Sequence, residues 1–202
     1  NYIVWDALIA AGNRDVFLYN ISTGITTDIT SQAGFEMNPD IYGNTIVWSY
    51  TPDVFTRSDL YAYDISSGVT THLLTKDGDQ QTPRIYQDKI AYEDVNTSYN
   101  YNIYVYDISD ATDTQITDTN NNDSPSIYGN IVAWDNGDDS NVYYADLSSL
   151  VLNGQAIDSQ TTEQYDVEVY GDKIVWDDYR NDATNEDIYM YDITSGKVFQ
   201  IT

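Results

Sequence analysis

Residues 167–202 read VEVYGDKIVWDDYRNDATNEDIYMYDITSGKVFQIT, and the rest of the chain consists of variants of this stretch. Aligning the copies on the aromatic residue that closes the IVW triplet brings Trp5, Trp48, Tyr92, Trp134 and Trp176 into register, at steps of 43, 44, 42 and 42 residues. Spacing this even marks an internal repeat in which each copy is one supersecondary unit. A second block recurs five times, as DVFLYNISTG from Asp15, DLYAYDISSG from Asp59, NIYVYDISDA from Asn102, NVYYADLSSL from Asn141 and DIYMYDITSG from Asp187. A third block ends four copies, at Thr30, Thr75, Thr117 and Thr202, and a fourth, such as NPDIYGN from Asn38, precedes every triplet but the first. The copies run over residues 1–37, 38–81, 82–123, 124–165 and 166–202.

Each unit holds four short runs rich in Ile, Val, Tyr and Thr, separated by Gly, Asn, Asp and Pro, which is the punctuation of an antiparallel meander. In the last copy the runs are Val167–Tyr170, Lys173–Trp176, Asp187–Tyr191 and Lys197–Ile201, designated A to D. Gly171-Asp172 is a two-residue hairpin turn between A and B, as are Gly43-Asn44 and Gly129-Asn130. Run C is apolar on both faces, with Ile188 and Met190 alternating with Tyr189 and Tyr191, so each sheet is expected to lie between two others. Units of this length, with four antiparallel strands and two apolar faces, predict an all-β, single-domain chain: a five-bladed β-propeller of four-stranded blades.

The motif PxIYG, then IVW, then DIYxYDxSTG, then QIT resembles the TolB-like propeller repeat, in the version found in archaeal and bacterial cell-surface proteins. The resemblance extends over essentially the whole chain and implies an extracellular or cell-surface location. It also implies a role among scaffolds, adhesins and binding subunits. The fourth copy departs most, with Ala145 in place of the usual Tyr and SLVLNGQAIDSQ (149–160) in place of the short turn and QIT.

Eight basic residues against 33 acidic ones give a net charge of −25. That field repels nucleic-acid phosphates and anionic lipid, and leaves calcium, basic proteins or salt as cationic partners. No apolar run is long enough to span a membrane, and the absence of cysteine excludes a disulfide scaffold and thiolate metal sites. The sequons at Asn20, Asn96 and Asn122 suit a surface protein, with Asn96 and Asn122 the glycosylation candidates.

Most aromatic residues occupy repeat positions and are assigned to packing; Tyr50, Tyr99 and Tyr179 fall in B–C loops, where they could stack on sugar rings. The acidic B–C loops, Trp134–Asp139 and Trp176–Asp187, offer hard oxygen ligands, and Asp177, Asp178 and Asp187 are the calcium candidates, although no complete calcium loop is spelled. In the same loop Arg180 is expected to pair with a carboxylate. The lone histidine, His72, lies in an ordinary D strand, and no nucleophile elbow, P-loop or zinc signature occurs. Asp40 and Glu168, at equivalent A-strand positions with Arg84 and Ser126 between them, are the one carboxylate pair that glycoside chemistry could use. The expected function is a non-enzymatic binding or structural module, for protein–protein or surface-layer contacts, needing no cofactor; a carbohydrate-binding or carbohydrate-active propeller is the rival. Because the first copy has no A block, the Tyr2–Trp5 strand is expected to leave an open inner edge. A PxIYG-like strand from flanking sequence or a neighbouring molecule would cover it, with Asn1 and Thr202 close together.

Overall fold

The structure, a computed structural model, describes residues 1–53, 56–119, 121–158, 162–182 and 184–202. The last two residues of the fourth-copy insertion lie outside them. Every unit folds as a meander in chain order. The first comprises β1 (Tyr2–Ala10), β2 (Asn13–Asn20) and β3 (Ile25–Asp28); the second β4 (Phe35–Tyr42), β5 (Thr45–Thr51), β6 (Asp59–Asp64) and β7 (Val69–Leu74). The third comprises β8 (Asp79–Tyr86), β9 (Lys89–Val95), β10 (Tyr101–Asp107) and β11 (Thr112–Gln115); the fourth β12 (Asn122–Tyr128), β13 (Ile131–Asn136), β14 (Asn141–Asp146) and β15 (Gln155–Ala156). The fifth comprises β16 (Gln164–Tyr170), β17 (Lys173–Asp182), β18 (Asn185–Asp192) and β19 (Lys197–Gln200). Within each unit all pairing is antiparallel, and one parallel residue pair, Arg14 with Phe35, links the first unit to the second.

Register explains the recurring aromatics. The triplet aromatic on strand B lies directly opposite the central ring of strand C, giving the stacked pairs Trp5–Phe17, Trp48–Tyr61, Tyr92–Tyr104, Trp134–Tyr143 and Trp176–Tyr189, with centroids 5.7–6.2 Å apart. Successive units pack face to face, and the buried apolar side chains form four clusters, one for each junction between consecutive units. Among the described residues no cluster joins the fifth unit to the first. The outer faces of the end units show this directly: Trp5 is 36% and Ile3 51% exposed, whereas Trp48, Tyr92, Trp134 and Trp176 are at most 1% exposed. On the fifth unit Val175, Ile188 and Met190 are half-buried, while their counterparts Val47, Leu60 and Ala62 are buried.

The degenerate fourth copy keeps its junctions by substitution. In three units a closing threonine accepts the backbone N–H after the strand-C acid or amide: Thr30 from Val16, Thr117 from Ile103 and Thr202 from Ile188, at 2.8–2.9 Å. Lacking QIT, the fourth unit uses Gln164 Oε1 to accept from Val142 N–H at 3.1 Å. Its insertion folds back so that Asn153 N–H donates to Ile116 C=O. Gly154 there has φ +55°, and a Cβ would come within 2.5 Å of Trp134, so the insertion closes over that indole only with glycine.

Candidate functional site

Strand A carries a β-bulge in each of units two to five, and at its apex a non-glycine residue takes positive φ: Asn38, Thr82, Ser124 and Asp166. Such a conformation persists only where neighbours hold it. The residue after the triplet aromatic of the preceding unit does so at three of the four. Asp6 Oδ1 accepts from Asn38 N–H at 3.1 Å, Glu93 Oε1 from Ser124 N–H at 2.8 Å and Asp135 Oδ2 from Asp166 N–H at 3.2 Å. Two residues past the bulge lies a second row, Asp40, Arg84, Ser126 and Glu168. Asp40 Oδ2 accepts from Ile85 N–H of the next unit at 2.8 Å, Asp40 Oδ1 accepts from Ile41 N–H at 2.8 Å, and Ser126 Oγ accepts from Val169 N–H at 3.0 Å. Ser126 donates in turn to Glu168 Oε2 at 2.8 Å. Burial raises the pKa of Asp40; the two amides and Arg84 oppose that shift, and Glu168, across from it on β16, adds to it.

The sequence-predicted pair Asp40 and Glu168 is therefore brought within electrostatic reach, and both carboxylates are engaged in joining strands. The recurring Tyr of the IYG block extends the same inner edge as a ladder: Tyr42, Tyr86, Tyr128 and Tyr170, with centroids 4.3–4.7 Å apart. Its last rung, Tyr170, is 77% exposed.

A third row is polar and buried. Glu36, Gln80, Asn122 and Gln164 open the A strands and are nearly completely buried. Asn122 Oδ1 accepts from Trp134 Nε1 at 3.0 Å, and Gln164 Nε2 donates to Asp178 Oδ2 at 2.9 Å. Neither oxygen of Glu36 meets a donor at hydrogen-bonding geometry, and Gln80 Oε1 and Trp48 Nε1 are likewise unpartnered. Burial pushes the pKa of Glu36 up to about 7, the nearby Gln32 offsetting only part and Asp15 adding to it. The signal that would have found this row is a polar residue four positions ahead of the Asp40-type residue in each A block.

The calcium candidates are not brought together. Strand alternation puts Asp177 and Asp178 on opposite faces of β17. Asp178 lies across from Asp187, but it is fully buried and holds Trp176 Nε1, Gln164 Nε2 and the Arg180 guanidinium, while Asp187 accepts from Asn181 Nδ2 at 2.8 Å. Burial favours a raised pKa for Asp178, yet the bonds from Arg180 and Trp176 outweigh it and hold the carboxyl below its ordinary range. Among the described residues no group of three or more acidic, His or Cys side chains is arranged to hold a metal ion. This donor set thus fits an ion pair, with Arg180 also bound to Asp158 at 2.7 Å, rather than calcium. Removing one partner of such a pair strands the other: Arg180→Ala should cost about 3–5 kcal/mol in chemical denaturation, and Asp178→Asn in that background should restore part of it.

Asp177 occupies the amide-accepting position of Asp6, Glu93 and Asp135, but on the open face of the last unit. Burial raises its pKa, with Asp166 and Glu186 contributing. Asn96 is exposed, whereas Asn122 is 1% exposed, its Oδ1 accepting from Trp134 Nε1 and its Nδ2 donating to Thr119 C=O. Tyr50, Tyr99 and Tyr179 do not converge: Tyr50 donates to Ala33 C=O, Tyr99 stands free at 79% exposure, and Tyr179 contacts Glu186. His72 stacks on Tyr61 and lies 3.1 Å from Asp59.

No protein-family model matches the sequence, and no curated protein does. Solved structures are similar in fold. TolB from Acinetobacter baumannii matches with a TM-score of 0.69 and 15% identity over 98% of this chain and 51% of that one. An oligogalacturonate lyase in complex with manganese matches at 0.73 and 12% over 100% and 62%, and a nidogen/laminin complex at 0.64 and 12% over 92% and 70%. The chain spans about half the length of TolB. Enzymes and non-enzymes both stand among these proteins, so what the likeness establishes is architecture: an all-β, propeller-like array of antiparallel sheets.

Proposed function

We propose that the chain is a non-enzymatic binding or structural module of the cell surface or extracellular space. It is read as five propeller blades, of which the first has no inner strand. The observation that carries the reading is the use made of the inner-strand carboxylates. Both oxygens of Asp40 accept backbone amides, and Glu168 accepts the Ser126 hydroxyl that itself holds the next strand. A carboxylate needed as general acid, base or nucleophile must instead be free to meet substrate.

The two end faces supply the binding surface. They are the two halves of the interface that recurs four times inside the chain: Ile3 and Trp5 on one side, Val175, Ile188 and Met190 on the other. Beside the second half Asp177 stands where its equivalents accept a bulge amide. A further sheet of the same repeat, from flanking sequence, a second copy or another surface protein, would meet both halves as the internal units meet each other. Calcium is not required in this reading, and no helix among the described residues is long and apolar enough to cross a membrane.

The rival, a carbohydrate-active or carbohydrate-binding propeller, draws on the raised pKa of Asp40 and its approach to Glu168. Incubation with a panel of neutral and acidic polysaccharides separates the two. No release of reducing or unsaturated ends is expected; turnover by the native chain that Asp40→Asn with Glu168→Gln abolishes would establish the rival.

A further inference from the structure

The central strand-C tyrosines of units two, three and five each carry a basic side chain of the chain itself on the ring, with a carboxylate beside it. His72 stacks on Tyr61 at 4.6 Å and meets Asp59 at 3.1 Å. Lys76 Nζ lies 3.3 Å from the centroid of Tyr104, with Asp94 at 2.5 Å and Asp113 at 3.1 Å. The Arg180 guanidinium lies 4.0 Å from the centroid of Tyr189, between Asp178 and Asp158. A cation over a ring face gains from the ring quadrupole, and a flanking carboxylate adds charge and direction.

The fourth unit has the ring and the carboxylates without the basic side chain. Tyr143 is the equivalent of those three tyrosines and stacks on Trp134 like its counterparts, at 6.1 Å and 15°. At that place a cavity of about 240 Å³ is lined by Tyr143, Asn136, Asp138 and Asp139 together with three more uncharged residues, none of them basic. Asn136 stands at the position of Asp94 and Asp178, and the charge comes instead from the neighbouring Asp138 and Asp139. At the sequence position of Lys76, four residues before the buried amide of the A strand, this unit has Asp118. The internal cation is thus replaced by an anion, which bonds to Asn153 at the cavity edge.

We propose that this cavity binds an external alkylammonium or guanidinium group, the side chain of a lysine or arginine presented by a basic peptide segment. The cation takes the place over Tyr143 that Lys76 takes over Tyr104, and its N–H groups donate to Asp138 and Asp139. The aromatic ring and the size of the cavity distinguish the site from the diffuse attraction that a net charge of −25 exerts on any cation.

The test is a nuclear magnetic resonance titration with Nα-acetyl-lysinamide and its neutral isostere Nα-acetyl-norleucinamide, following the Trp134 indole N–H and the Asn136 amide. Saturable shifts are expected with the lysine probe, at least ten-fold tighter than with norleucine and weakening as sodium chloride is raised. Tyr143→Leu should weaken the lysine probe ten-fold or more. Asp118→Lys, which restores the chain's own cation at the Lys76 position, should abolish binding while leaving the fold intact, and this variant carries the test if Tyr143→Leu does not fold. Equal response to the two probes, no saturable shift, or lysine binding untouched in Asp118→Lys would overturn the proposal.

Discussion

Glu36→Gln should stabilise the chain above pH 7 by up to roughly 3 kcal/mol, and remove its own share of the loss of stability that the native chain suffers on going from acid to neutral pH. The sign follows from the direction of the shift. In the unfolded chain Glu36 ionises near its ordinary value of 4.5, but burial, only partly offset by Gln32, holds the folded group's pKa up to about 7. Between those values the unfolded state has released a proton that the native state keeps, so stability falls with rising pH across that window and then levels. The equivalent residues are Gln80, Asn122 and Gln164, each an uncharged amide in the same buried place, so the substitution brings this unit into line with its siblings. Asp135 acts in the same sense, its pKa pushed up to about 8 chiefly by burial, and Asp135→Asn keeps an oxygen for the Asp166 amide. Urea titrations of the native chain and both variants at pH 5 and pH 8 check this. Identical pH profiles for Glu36→Gln and the native chain would contradict it.

Trp134→Ala should cost about 3–5 kcal/mol in dilute solution, whereas Trp5→Ala should cost less than about 1 kcal/mol, although the two residues hold the same repeat position. Trp134 is 1% exposed, lies in the cluster between the third and fourth units and anchors Asn122 through its indole N–H. Trp5 is 36% exposed and has its own strand-C partner Phe17 but no unit on its outer side. Paired thermal and chemical unfolding of the two variants measures the difference. Equal costs would mean that the first unit's outer face is covered.

What the sequence made legible was whatever a single unit decides for itself. Strand runs, hairpin turns and the alternation of strand C follow from local patterning, and the four-stranded meander follows from their order. The structure shifts only boundaries: strand A of the last unit begins at Gln164, since Gln164 and Tyr165 pair with Asp178 and Asp177 ahead of the bulge. Relations between units were less legible. Asp6, Glu93 and Asp135 read as acidic residues beside an aromatic until the next unit's bulge amides are placed against them. The acidic run at Asp177 and Asp178 suggests ligands only if nearness in sequence is nearness in space. On a strand adjacent side chains point apart, so a rule already in hand separates them. A sequon takes no account of burial, and the asparagine of the third one, Asn122, is buried and accepts from the Trp134 indole N–H.

On the proposed reading the end units present two complementary halves of the internal interface, open to a further unit of the same repeat. Sedimentation velocity on the native chain, Trp5→Glu, Met190→Glu and an equimolar mixture of the two variants tests it most directly. The native chain should associate as its concentration rises and each variant alone should stay monomeric. The mixture should form dimers and nothing larger, because one intact half from each variant remains to pair. A native chain that stays monomeric at every concentration, or variants that associate as it does, would contradict the claim.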